Sequence, residues 1–188
     1  QLQMRKFKAR MSKLHSVFIS HLHGDHIFGL PGLLSTLSLL GRTSDLNIYA
    51  HKEIDFLINP FLTYMGKHIT FKINVIPLNP ESEEILFENQ SIKISSFPLK
   101  HRIDTNGFLF EEKKSASHII RDMIDYHNIP FNLIHGIKRG EDYITPDGEV
   151  IKNELLTIPG TPSKKYAYCS DTAYAPEIVH YIKKADLL

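Results

Sequence analysis

With 188 residues, 42% of them hydrophobic, the chain is long enough to bury one sizeable core, and a single domain is the expectation. A formal net charge of +1 excludes a globally basic surface that would hold nucleic acid by bulk charge, so any RNA contact has to come from local basic patches. The single cysteine, Cys169, excludes an intrachain disulfide and suits a reducing compartment, which makes the cytoplasm the expected location. No segment has the pattern of a secretory signal. The longest apolar run, Ile27 to Leu40, is too short and too interrupted by Gly, Pro, Ser and Thr to span a bilayer, so no membrane partner is expected.

In chain order, Gln1 to Met11 has helical character, with Leu2, Phe7 and Met11 as spaced apolar positions and a basic face from Arg5, Lys6, Lys8, Arg10 and Lys13. Ser16 to Ser20 reads as a strand, and Gly29 to Leu40 as a helix ended by Gly41. Leu46 to Ala50 is a short strand, and Lys52 to Met65 a helix interrupted near Pro60 and ended by Gly66. From Thr70 the period changes to two: Phe71 to Val75 alternates as a half-buried strand does. Ile85–Phe87 and Ile92–Ile94 flank Asn89-Gln90 and predict a hairpin, whose second arm runs on to His101. Gly107 to Phe110 is a further strand. Glu111 to Lys165 is turn-rich and irregular, with one helix over Ser117 to His127. Tyr166 to Ser170 resumes the sheet, and Ala175 to Lys184 is a helix. Alternating strands and helices predict an α/β protein, and the central hairpin predicts a mixed sheet.

The chemistry concentrates in Ser20-His21-Leu22-His23-Gly24-Asp25-His26, a loop between strand and helix. Alternate residues share a face, so His21 and His23 can point to one side, while Asp25 and His26, beyond Gly24, can turn to a second point nearby. Imidazole and carboxylate are ligands that zinc and its neighbours prefer, and the spacing reads as the core of a two-metal site. A terminal tag would be a run of histidines; these are spaced and internal.

Phe18 to His26 resembles the signature of the metallo-β-lactamase-fold hydrolases. The continuation Ile27-Phe28-Gly29-Leu30-Pro31-Gly32-Leu33-Leu34 is similar to the tRNA 3′-processing endonucleases, the tRNase Z family. The resemblance implies an αββα sandwich, here truncated at both ends. Family members begin with a strand ahead of Gln1 and continue past Leu188 with further motifs and a last metal histidine. It also implies two more ligands. His101, in Pro98-Leu99-Lys100-His101-Arg102, stands where the family has its third histidine. Asp171, in Tyr168-Cys169-Ser170-Asp171-Thr172, stands where it has a bridging aspartate, with Ser170 replacing the usual glycine. On that basis His21, His23 and His101 would hold one zinc, Asp25 and His26 a second, and Asp171 would bridge them. Asp25 would be the catalytic base that orients the attacking water. Two ions about 3.5–4 Å apart stabilise both attacking and leaving oxygens of a phosphodiester displacement.

The implied activity is removal of the 3′ trailer from precursor tRNA, and family members are typically homodimers. An inserted segment at about 112–165 stands where the family carries an arm that grips the tRNA; Ile137 to Asp142 is similar to part of it. Rival readings are another hydrolase on the same fold, arylsulfatase-like or acting on thioesters, and a non-catalytic RNA-binding relative. Cys169, in an apolar strand with no adjacent histidine, reads as structural. The remaining histidines, His15, His51, His68, His118, His127, His135 and His180, read as ordinary polar positions.

Overall fold

A computed structural model describes residues 2–65 and 68–188. The first sheet is parallel and consists of β1 (Ser16–Phe18), β2 (Leu46–Ala50) and β3 (Ile73–Pro77), in that order. The second is antiparallel, in the order β11 (Lys165–Tyr168), β6 (Asn106–Glu112), β5 (Ile92–Pro98), β4 (Glu84–Glu88). Period-two alternation assigns the faces. Phe18, Tyr49 and Ile76 from the first sheet meet Phe108, Phe110 and Leu86 from the second. Phe18 stacks on Tyr49 at 4.7 Å between ring centroids and meets Phe108 and Phe110 edge-on.

The opposite faces carry helices. Val17, Ile48 and Val75 join the largest apolar cluster with Leu30, Leu34 and Leu37 of α3 (Gly29–Leu39) and Ile58 of α4 (Asp55–Met65). Burying such side chains contributes about 1.5–3 kcal/mol each, whereas exposed pairs such as Arg139–Glu141 contribute about 1 kcal/mol or less. Phe97, Leu109 and Ala167 of the second sheet pack with Ile178, Tyr181 and Ile182, around α8 (Val179–Ile182). The layers are therefore α, β, β, α, as the resemblance implies. Gly107 lies opposite Phe97, and a Cβ there would come within 2.5 Å of the Phe97 ring, so the close approach of this strand requires glycine.

Helix ends show why local signals succeed or fail. After α3, Gly41 adopts φ +74°; its N–H donates to the Ser38 carbonyl and the Arg42 N–H to the Leu37 carbonyl, the double closure expected of a terminal glycine. Pro60, in contrast, does not interrupt α4, which runs through it from Asp55 to Met65. The carbonyl left without its partner is that of the exposed Phe56, where water can replace the lost bond. The predicted stop at Gly66 and the residue Gln1 lie outside the described residues.

Other boundaries move. The basic N-terminal helix is short, α1 (Leu2–Lys6), and is followed by Lys8 at φ +54° and a 3-10 turn, Met11–Lys13. The strand predicted from Phe71 begins at Ile73, because Phe71 turns into the helix-side core. The helix predicted over Ala175 to Lys184 splits into a 3-10 turn, Pro176–Ile178, and α8.

The segment between β6 and β11 differs most from expectation. Those two strands pair directly, so the segment is an excursion from one antiparallel ladder. It is not irregular. Its predicted helix over Ser117 to His127 opens as β7 (His118–Ile119), which pairs with β10 (Thr157–Ile158), and only Arg121–Tyr126 is helical (α5). A second ladder joins β8 (Tyr143–Ile144) to β9 (Val150–Ile151). Ile124, Ile129, Ile137, Tyr143, Ile151 and Leu156 form a core of their own. Asn153 ties the parts together, its side-chain amide donating to the carbonyls of Ile137 and Glu141 at 2.7 and 2.8 Å.

Candidate metal centre

The parallel ladder ends just before the signature loop. Ile19 N–H still bonds to the Tyr49 carbonyl at 2.9 Å, after which the chain leaves the sheet. His21 and His23 follow at once, and Asp25 and His26 lie in the single-turn helix α2 (Gly24–Ile27). His101 and Asp171 do not end their strands as predicted. They stand three residues past β5 and three past β11, in loops. These loops are tied to each other: Ala173 N–H donates to the Lys100 carbonyl at 2.7 Å, and Lys100 N–H to the Thr172 hydroxyl at 3.2 Å. Asn106 N–H reaches the Ser20 carbonyl at 2.9 Å and brings the signature loop against the second sheet. Hydrogen bonds at the ends of both sheets thus gather three loops that are far apart in sequence.

His21, His23, His101 and Asp171 each offer a ligand atom, and all four atoms lie within 4.8 Å of one another. His21 Nε2 is 3.1 Å from His23 Nδ1 and 3.7 Å from Asp171 Oδ2, and His101 Nε2 is 3.4 Å from His23 Nδ1. Asp25 and His26 lie outside this group of four. Asp25 Oδ2 is 3.4 Å from His26 Nε2, and His26 Nε2 is 3.8 Å from Asp171 Oδ2. All six predicted residues are thus linked in space, in two lobes that share Asp171.

Burial of His21, with the imidazoles of His26 and His23 beside it, holds its pKa below the ordinary value. A neutral ring keeps a lone pair, which is the form a metal ligand needs. Ser20 Oγ lies 3.1 Å from His21 Nδ1. With the Nδ1 proton directed to that hydroxyl, Nε2 faces the other donors as a lone pair. Three imidazole nitrogens and a carboxylate oxygen converge here, and a divalent cation fits that donor set. Cys169 is partly buried and its thiol pKa is raised by desolvation, which opposes thiolate chemistry.

One further histidine lies at this edge, outside the predicted ligand set. His51, read from sequence as an ordinary polar position, is only 4% exposed and follows the carboxyl end of β2, next to the strand that delivers His21. The signal in the sequence is its place directly after a predicted strand end, which puts it near the site.

Residues 1–126 match the family model described as a beta-lactamase superfamily domain. Over all 188 residues the chain is 47% identical to Ribonuclease Z of Bacteroides thetaiotaomicron and 43% identical to that of Porphyromonas gingivalis, covering 60% and 62% of those proteins. It thus spans about three-fifths of the length of the curated relatives it matches. The solved structure of human tRNase Z, short form, superposes with a TM-score of 0.59 at 22% identity, over the whole of this chain and 61% of that one. Ladder order, the four-layer packing and the matched model agree: the chain belongs to the beta-lactamase superfamily, and its sequence is similar along its full length to ribonuclease Z.

Proposed function

We propose that the protein is a metal-dependent endoribonuclease that removes the 3′ trailer of precursor tRNA. The observation that carries this reading is the convergence of three imidazoles and a carboxylate, with the Asp25–His26 pair beside them, in a chain 47% identical to a ribonuclease Z. His21, His23 and His101 would hold one zinc, Asp25 and His26 a second, and Asp171 both. Ions held there would lower the pKa of a water and offset charge on the phosphoryl oxygens.

The chain's own residues supply the rest. Asp25 has an exposed carboxylate, with 79% of its side chain accessible, so it can accept a proton from an incoming water and orient it in line with the phosphorus. The buried His21 stays fixed and neutral throughout. Cleavage leaves a 3′-hydroxyl on the tRNA and a 5′-phosphate on the trailer. A homodimer in the cytoplasm completes the reading. No helix among the described residues is long and apolar enough to cross a membrane. The test is cleavage of a precursor tRNA by the natural-length protein, with and without chelator. Chelator-sensitive release of the trailer is expected. Turnover of an aryl sulfate or a thioester instead of RNA would overturn the reading.

The 112–165 segment serves as the arm of a single domain in this reading. Arg121, Lys138 and the exposed Phe131 line one open cavity of about 610 Å³ in it, a combination suited to phosphates and unstacked bases. Deleting Ser117 to Gly140 is expected to weaken precursor-tRNA binding by at least about tenfold, as loss of phosphate contacts does. Hydrolysis of a small phosphodiester is expected to be spared. Filter binding and a chromogenic diester assay on the same preparation check both; equal loss on the two substrates would assign the segment to the fold or the site instead.

A further inference from the structure

A second cavity, of about 250 Å³, adjoins the loop that carries the histidines and is lined by Leu22, His51, Glu53, Ile103 and Asp104. Chain order places it beside the centre. Leu22 lies between His21 and His23, and Ile103 and Asp104 follow His101 by two and three residues. His51 stands at the carboxyl end of a parallel strand, the edge at which open α/β sheets bind ligands. It is nine-tenths buried, and its Nε2 has no hydrogen-bond partner among the described residues. An unpaired buried ring nitrogen is destabilising, and a ligand that pairs with it offsets that loss.

The lining determines what fits. Leu22 and Ile103 offer apolar surface for a flat ring. Glu53 and Asp104 bring two carboxylates, which repel phosphate and accept N–H donors. The Glu53 carboxylate lies 3.9 Å from the Lys52 ammonium, whereas Asp104 has no ion-pair partner among the described residues. A planar heterocycle with amino and ring N–H donors on one edge and acceptors on another matches these walls. Guanine does so most completely. Its N1–H and N2–H₂ groups suit one carboxylate, and its O6 and N7 can accept from an imidazole N–H. Uracil has one ring N–H and no amino group.

We infer that this cavity is a nucleobase pocket that selects guanine in a nucleotide flanking the scissile phosphate, with Asp104 reading the donor edge and His51 the acceptor edge. The inference rests on the RNA-cleaving reading above. The test uses the metal-loaded, natural-length protein and precursor RNAs that differ only in the nucleotide on one or the other side of the cleaved bond. At one of the two positions, guanine is expected to exceed uracil by roughly tenfold in kcat/KM, the discrimination of one good bidentate pair. Asp104→Asn, an exposed position, is expected to bring that ratio within about threefold, and His51→Phe to do the same. Equal kcat/KM for all bases at both positions, or a preference that survives Asp104→Asn, would overturn the pocket while leaving the RNA reading intact. If no RNA is cut, the RNA reading fails. The pocket is then decided by equilibrium binding of guanosine 5′-monophosphate against uridine 5′-monophosphate. Tighter guanosine binding that Asp104→Asn abolishes supports it, and equal binding overturns it.

Discussion

His21→Ala or His23→Ala is expected to lose at least one equivalent of metal and to lower turnover by more than about 100-fold, beyond the loss of about 10–100-fold typical of a residue that only supports a ligand. The two substitutions differ in what else they disturb. His21 is fully buried, so removing its ring also leaves a void against Ser20, His26 and His101 and is expected to lower thermal stability by about 2–4 kcal/mol. His23 is only half-buried, and its loss is expected to cost metal with less effect on folding. Elemental analysis and calorimetry on the two variants check the pair of expectations together. Full metal content in either variant would remove that residue from the ligand set.

Asp25→Ala is expected to lower the rate of the chemical step by about 10²–10⁴-fold, the range for loss of a positioned proton acceptor. On the proposed reading, precursor-tRNA affinity is expected to change by less than about threefold, because phosphate contacts supply most of the affinity of a nucleic-acid complex. Asp25 is well suited to separate the two effects. It lies outside the group of four mutually close donors and touches the centre through His26. It also lies in the first turn of α2 with an exposed side chain, so truncating it leaves no cavity. Single-turnover cleavage alongside equilibrium binding distinguishes the outcomes. A variant that cuts normally but binds weakly would make Asp25 a recognition residue.

Local signals were readable where the residue's immediate neighbours decide the outcome. The Leu46–Ala50 strand has the predicted boundaries, and the helix from Gly29 ends at the predicted glycine, because a short apolar run and a terminal φ > 0 are both set within a few residues. Pro60 misled because the penalty for an interior proline depends on whether the orphaned carbonyl faces protein or water, which only packing decides. The 112–165 segment misled for a related reason. Its strands are two residues long, too short for periodicity to register, and they exist because a partner strand and six apolar side chains arrive from distant turns.

The sequence by itself determined the α/β class, the identity of the residues in the signature loop and their closeness to one another, since four donors within six residues cannot be far apart. It placed His101 and Asp171 beside them only through resemblance, because nothing local links positions 21, 101 and 171. Tertiary structure decided that link. Two sheets facing each other through Phe18, Tyr49 and Phe108 bring the ends of β1, β5 and β11 to one edge, and the Lys100–Ala173 and Ser20–Asn106 backbone bonds lock the loops there. Tertiary structure also separated His51 from the other unassigned histidines. Its residue type is theirs, but the neighbouring strand and the Leu22 and Ile103 loops lie against it, and burial of an unpaired imidazole is a property of that packing alone.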